Sequence, residues 1–424
     1  MTDVLEVIIS EIGVGGDGVS QGPDGQIFVP MALEGERVKI RLGKKGRFGY
    51  KSELLEIIDE SPDRIKPTCQ HFGSCGGCQM QYMPDALYTE WMKESVAATL
   101  AHHGHEDTVV NEPIISPEAS RRRVNLKVLK TAGGIVLGFN KRASHQLVSL
   151  KECPVTRSEI TDIFKPLKKV LNDIFPPRKA GEVAITLTAS GIDLLIDAPM
   201  EISLEQREAL VDFANAHDIA SLNWNDRGFM DPVIIRGEAV MNFAGAQVPL
   251  PPSSFIQATD EGEAALVNLV LKGVEGCRRV ADLFSGIGTF TFPLAKKAQV
   301  LAVEGFKPAS DACQAGINRS TGFKQIINKH RDLYRRPMTA KELKGFDAVV
   351  FDPPRAGAKE QVDALKDSDI PTLVAVSCSP NSFGRDGRIL KEGGYTLDSV
   401  TPVGQFRWTP HIELVGVYKK DVSP

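Results

Sequence analysis

The 424-residue sequence contains no apolar run of the ~20 residues that a bilayer-spanning helix needs, no internal repeat and no low-complexity tract. An integral helical membrane protein and a solenoid are therefore excluded. The start, MTDVLEVIISEIG, lacks a basic n-region and carries acids among its apolar residues, so it does not read as a signal peptide and the chain is expected in the cytoplasm. Net charge of one sign is nearly absent, at -4, which by itself points to no polyanionic partner. Cysteine is scarce, with seven residues, and a reducing compartment keeps thiols from forming a disulfide framework, so they are left for chemistry or metal. The Gly-rich turn of ADLFSGIGTF is short of a full G-x-G-x-x-G, which disfavours a dinucleotide with its pyrophosphate.

What is present is the composition of a soluble globular protein, 42% hydrophobic and 25% charged. At roughly 150 residues per domain the length suggests about three domains. Residues 1–58 read as a small β-barrel: short alternating runs (VLEVIISEIG, QIFVPMAL, ERVKIRLG, YKSELLEIID) are separated by the Gly-rich turns GVGGDG and GPDGQ. Residues 59–258 read as an α+β domain, mostly strand, with an amphipathic helix in PDALYTEWMKESVAATLAHHG (Leu87, Trp91, Val96, Leu100) and one more near SLEQREALVDFANAH. From 259 to 424 strands and helices alternate, and apolar strands in that rhythm imply a doubly wound α/β sheet covered on both faces. Basic residues cluster twice without an intervening acid, at Arg41, Lys44, Lys45, Arg47, Lys51 and at Arg121, Arg122, Arg123, Lys127, Lys130. Each cluster is either a solvated face or a phosphate-binding stripe, and Phe48 and Tyr50 interleave the first with rings on which bases could stack.

Three strand ends in the last segment carry the cofactor signal. ADLFSGIGTF runs from a strand into a Gly-rich turn, where Gly286 and Gly288 let backbone approach a ligand. The next strand ends at Glu304, placed to bind ribose hydroxyls, and a later one ends at Asp352 of FDPPR. Cys378, in VAVSCSP, ends another strand, 26 residues after Asp352 and 35 before Glu413 in TPHIELVGV. A helix starting just beyond it is expected to lower the thiol pKa. A thiolate that adds to C6 of uracil turns C5, a poor nucleophile, into an enolate carbon able to take a methyl group; a base must then remove the C5 proton. Glu413 is the carboxylate available, flanked by otherwise apolar residues. Cys69, Cys75 and Cys78 form C-x5-C-G-G-C, with Cys153 a distant fourth, a set whose spacing suits zinc and iron–sulfur alike.

Together, CGGCQMQ, SSFIQAT, DLFSGIGTF, AVEG, FDPPRAG, VSCSPNSFGRD and FRWTPHIELV resemble the RNA 5-methyluridine methyltransferases that use S-adenosylmethionine, over essentially the whole chain. EIGVGGDGVSQGPDGQIFVPMALEGERVKI is similar to the TRAM domain, an OB-like RNA-binding barrel of the ribosomal RNA members that the bacterial transfer RNA members lack. The resemblance implies a class I methyltransferase domain and a [4Fe-4S] cluster on Cys69, Cys75, Cys78 and Cys153. It makes Cys378 the nucleophile and Glu413 the proton acceptor, with cofactor contacts at Gln257, Phe284, Thr289, Glu304 and Asp352. The expected partner is RNA, 23S ribosomal RNA ahead of transfer RNA, bound by a monomer, with the target base flipped out of its stack. Ser379, Thr289, Arg407 and Trp408 stand where the family usually has other residues, which bears on the choice of uridine. The competing readings are an amino-methyltransferase, which needs neither Cys378 nor Glu413; a cytosine-C5 enzyme, whose second cysteine is missing from DPPRAGA; and a non-catalytic RNA-binding factor.

Overall fold

The protein is described from a computed structural model, which covers residues 4–22, 24–252 and 254–420. Among these residues no helix is long and apolar enough to cross a membrane.

The N-terminal sheet is built from one bent segment and four further strands. Val4–Ile8 pairs antiparallel with Arg37–Lys45, and after a break at Ile9 and Ser10 the same segment, as Glu11–Ile12, pairs with Gly18–Gly22. Because one segment occupies both ends of the strand order, the sheet closes on Ile9, Ile27, Val29, Val38 and Ile40 and leaves no long free edge. Its far end is locked by Glu36, fully buried, which accepts from Leu33 N–H (2.8 Å) and from Arg64 Nε and Nη2 (both 2.7 Å). Arg64 in turn lies over the Tyr82 ring, so a charge removed from water is paired, hydrogen-bonded and tied to the next part of the chain.

The middle of the chain forms a seven-stranded sheet that is antiparallel except where Gly191–Asp197 runs beside Ile219–Asp226. Leu204–Ala216, the helix expected near SLEQREALVDFANAH, covers one face and opens on a capping box of Ser203 and Gln206. Two helices were not expected here, Ser158–Thr161 and Phe164–Ile174. The second buries Phe164, Leu167, Leu171 and Ile174, a helical stripe, and its Pro166 sits in the first turn, where no backbone donor is required.

Not all of residues 59–258 packs on this sheet. The helix Asp85–His102 buries Tyr88, Trp91, Met92, Val96 and Leu100 in the core of the C-terminal sheet, with Leu87 only partly covered. Val109–Val110 and Ile114–Ile115 add a broken edge to the same sheet. The hairpin Val240–Pro249 packs on the helix Lys307–Arg319.

The C-terminal sheet runs Ile326–His330, Gln299–Glu304, Arg279–Leu283, Ala348–Phe351, Thr372–Ser377, Glu413–Lys420, Tyr395–Gly404. The first five strands are parallel and Glu413–Lys420 is antiparallel to its neighbours on both sides. Alternate residues serve opposite faces: Val349 and Leu373 join one core, Val350 and Val374 the other. The chain reverses direction across the sheet between Arg279–Leu283 and Ala348–Phe351, the switch point at which open α/β sheets form a crevice at their carboxyl edge.

Candidate active site

Every parallel strand of this sheet delivers a loop to that edge. Phe284 to Phe290 follow the strand Arg279–Leu283, and Phe284 is held at φ 60, a conformation uncommon for a bulky residue and kept only where its surroundings enforce it. Gly288, at φ 103, has no room for a side chain, since a Cβ would lie 2.6 Å from the Phe292 ring. Glu304 ends the second strand, Asp352 begins the loop after the fourth, and Cys378 follows Ser377 at the end of the fifth. Glu413 arrives by a different route. Its strand is antiparallel with Ser377 opposite Leu414, so its first residue lies at the edge where Cys378 ends the neighbouring strand.

The result is one cavity of about 670 Å³, in the range that small-molecule sites take. All seven residues expected from the sequence as nucleophile, base or cofactor contacts line it: Gln257, Phe284, Thr289, Glu304, Asp352, Cys378 and Glu413. Phe255, Phe306, Asp332, Tyr334 and Arg355 line it too and were not anticipated. Asp332 was missed because its strand, Ile326–His330, reads IINKH, too polar to stand out from a loop, although a strand-end acid is the same signal that marked Glu304. The Glu304 carboxylate already accepts from Gly286 N–H (2.8 Å) and Phe306 N–H (2.6 Å), bonds that hold the Gly loop and the carboxylate in one arrangement while each oxygen keeps a lone pair.

Electrostatics at the far end of the cavity differ from expectation. Burial pushes Glu413 up to about 8, with Asp352 adding to the shift and a hydrogen bond from Gln405 opposing it. Burial alone lifts Asp352 to about 7. The Cys378 thiol was expected to be lowered by the helix Pro380–Glu392; instead it rises to about 11. Burial is the main cause, followed by the two carboxyl groups, and Arg355 opposes only in part. Because those carboxyls are themselves held toward neutrality, the direction rests on burial. The helix has little effect because Cys378 lies one residue outside its cap: Ser379 is the N-cap, accepting from Ser382 N–H (3.3 Å).

Arg407 and Trp408 do not line the cavity. Arg407 pairs with Asp85 and donates to Ser116 O (3.2 Å), and Trp408 is buried with its carbonyl accepting from Gln79 N–H (2.8 Å) and Met80 N–H (3.1 Å). The second basic cluster is likewise largely structural. Arg122 pairs with Asp260 and Glu263, Lys127 with Glu182, and Lys130 donates to Asn172 O (2.7 Å). In the first cluster Lys44, Lys45, Arg47 and Lys51 stay exposed, with Phe48 beside Arg47.

A second, small cavity of about 20 Å³ is lined by all four cysteines set apart in the sequence, Cys69, Cys75, Cys78 and Cys153. Three sulfurs accept hydrogen bonds, from His71 N–H (3.4 Å), Gly77 N–H (3.4 Å) and Thr156 Oγ1 (3.2 Å). Burial pushes Cys78 up to about 11 and raises Cys69 and Cys75, so the thiols need a cation to become thiolates together. His71 and Glu152 also approach Cys69, but each has an oxygen or nitrogen engaged by a backbone N–H, of Lys151 and Gln70 respectively.

The strand order with a reversed final strand, the Gly loop and the strand-end acids define a class I methyltransferase. Residues 250–421 match the tRNA (Uracil-5-)-methyltransferase family. An uncharacterized RNA methyltransferase of Brucella melitensis is 40% identical over 98% of both chains, and the 23S rRNA (uracil(1939)-C(5))-methyltransferase RlmD of Photorhabdus laumondii is 30% identical over 98% of this chain and 97% of its own. The solved tRNA (uracil-54, C5)-methyltransferase of Pyrococcus abyssi, in complex with S-adenosyl-L-homocysteine, superposes with a TM-score of 0.77 at 22% identity, over 97% of this chain and 99% of that one. The chain belongs to the S-adenosylmethionine-dependent RNA uracil-C5 methyltransferase family.

Gly288→Ala is expected to raise the Kd for S-adenosyl-L-homocysteine at least about tenfold, because the new methyl group meets Phe292 at a φ that L residues avoid. Isothermal titration calorimetry checks it.

Proposed function

We propose that this protein methylates C5 of a uridine in 23S ribosomal RNA, with Cys378 as nucleophile and Glu413 as base. The convergence of a thiol and a buried carboxyl group on one cofactor-sized cavity carries the reading. The full-length similarity to the 23S enzyme of Photorhabdus laumondii favours ribosomal RNA over transfer RNA.

Gln257, Phe284, Thr289, Glu304 and Asp352 would hold S-adenosylmethionine, which supplies an electrophilic methyl group when bound. Cys378 Sγ adds to C6 of the uracil, forming the S–C6 bond and moving the ring's electron pair toward C5 and the O4 enolate. Once C5 carries the methyl group it still bears its original hydrogen. Glu413 removes that proton, the C5–C6 double bond re-forms, and the sulfur leaves C6. A carboxyl group raised to about 8 is suited to this step, because a base works best with a pKa near the operating pH. C5 and C6 are stacked inside a helix, so the nucleotide must be turned out to reach Cys378.

The N-terminal strands, Val4 to Asp59, are proposed as a TRAM-type RNA-binding domain, presenting Lys44, Lys45, Arg47 and Phe48 on the hairpin between Arg37–Lys45 and Tyr50–Asp59. The middle sheet is its own unit and the C-terminal sheet is the catalytic one. Cys69, Cys75, Cys78 and Cys153 are proposed to hold a [4Fe-4S] cluster. Four thiols on one cavity with N–H and O–H donors at the sulfurs fit such a group, whose sulfurs take hydrogen bonds of this kind. Methyl transfer needs no electron, so the role assigned to it is structural.

Cys378→Ala should abolish turnover, and Glu413→Gln should accumulate a covalent enzyme–RNA adduct stable on denaturing gels; an active Cys378→Ala enzyme disproves covalent catalysis. Both groups must lose a proton and both are raised, so from pH 6.5 to 7.5 kcat/KM should rise about eightfold through Glu413 and about tenfold more through Cys378, and go on rising past 8. A flat profile would assign the base elsewhere. Iron and acid-labile sulfide should each reach about four per chain in anaerobically purified protein, against one zinc if the metal site is tetrahedral zinc.

A further inference from the structure

We propose that Gln405, a residue outside the cavity, sets the base specificity of the site. It turns the Gln257 amide so that its NH2 edge faces the cavity beside Glu413, which selects a pyrimidine with a carbonyl at C4 over one with an amine there. The inference rests on the proposed reading that a pyrimidine enters with C5 toward Glu413.

Gln405 is 1% exposed and follows the strand Tyr395–Gly404, at the sheet edge that also carries Glu413. Its Oε1 accepts from Ala258 N–H at 2.9 Å. A backbone N–H only donates, so the atom facing it has to be the amide oxygen and the side chain has one orientation. Nε2 is thereby directed at Gln257 Oε1, 2.7 Å away, and the Gln405 side chain also hydrogen-bonds the Glu413 carboxyl. With Oε1 turned to Gln405, the branch of the Gln257 amide left for the cavity it lines is Nε2, with its two N–H groups. Arg122 Nε donates to Gln257 O (3.2 Å) and holds the backbone in place. The helix Asp260–Gly273 makes room for the arrangement with a glycine: a Cβ on Gly262 would lie 2.7 Å from Gln405 Cβ.

The shared contact with Gln405 puts the Gln257 amide next to the group that must reach C5. The ring atom beyond C5, away from C6, is C4. Uracil offers an oxygen there and cytosine an NH2. An oxygen accepts from Gln257, whereas an amine would set donor against donor at a buried side chain, a mismatch that polar sites punish far more than a missing apolar contact. The two hydrogens on Gln257 leave it able to serve cofactor and base together.

The test uses full-length enzyme with saturating S-adenosylmethionine and transcripts of ribosomal and transfer RNA made with [5-³H]UTP or with [5-³H]CTP. Tritium leaves C5 as the proton does, so its release counts turnover on each base. Wild-type enzyme should release tritium from the uridine label alone. Gln405→Met should lower that release at least tenfold. In Gln405→Glu both carboxylate oxygens accept, so the Gln257 amide turns over and the ratio of cytidine to uridine release should rise at least tenfold. Gly262→Ala, whose Cβ would press on Gln405 Cβ and on the Thr259 hydroxyl that caps the helix, should lower uridine release as Gln405→Met does. A Gln405→Met or Gly262→Ala enzyme within threefold of wild type overturns the proposal, as does a Gln405→Glu enzyme whose ratio is unchanged. Tritium release by Cys378→Ala would sink the covalent reading itself, whereas unchanged Gln405 variants beside an inactive Cys378→Ala would sink only this one.

Discussion

The pairing of Glu413–Lys420 with Thr372–Ser377 is the constraint on which the site depends. The two strands are antiparallel with Ser377 opposite Leu414, and that register alone brings residues 35 apart in sequence to adjacent ends at one edge. A slip of one residue would exchange the faces of the whole strand, turning Leu414 and Tyr418 out of one core and Val415 out of the other. The apolar packing on both sides of the sheet therefore specifies where Glu413 sits. The meeting of Glu413 and Cys378 is a by-product of core register, and the edge can carry groups that contribute nothing to stability.

Those groups are costly. Asp352, Glu413 and Cys378 share one poorly hydrated end of a cavity, and each is shifted toward its protonated form. Burying ionisable groups with so little compensation opposes folding, and the same burial raises Glu413 into the range useful for accepting a proton near neutral pH. The cost falls where the surrounding sheet is fully packed on both faces. Gln405 and Gln257 moderate it with a buried hydrogen-bonded chain whose direction is set by one backbone donor, Ala258 N–H.

The amino-terminal half reaches this edge through the cysteine loop. Gln79 and Met80 donate to the Trp408 carbonyl, Gly76 donates to Asn140 of the middle sheet, and Arg142 pairs with Asp17 of the N-terminal sheet. One short segment thus touches both the middle sheet and the loop that leads into Glu413. Trp408 is held at φ 60 there, a conformation that these bonds stabilise against its intrinsic cost. The residues Arg407 and Trp408 take part in this seam through Asp85 and the cysteine loop, so their departure from the usual family pattern concerns the joint between units.

Much of this was legible in the residues. The Gly turn, the strand-end acids and the Cys378 strand were readable because apolar strands that end in a polar or small residue announce the edge of a parallel sheet, and the seven residues singled out for the cavity do line it. Ile326–His330 and Phe164–Ile174 were not readable, the first because its strand is half polar and the second because lysines and a proline interrupt the apolar stripe. The assignment of Asp85–His102 to the core of the C-terminal sheet was also invisible, since an amphipathic face does not name its partner. Local pattern determined which side chains could do chemistry and at which ends of which elements they would lie. Only the tertiary structure decided that burial would lift Cys378 instead of a helix lowering it, that Arg122 would pair with Asp260 and Glu263, and that Gln405 would orient Gln257. These are consequences of what residues far apart in the chain leave for one another, in water excluded, acceptors used and space filled, and spacing along a sequence carries none of them.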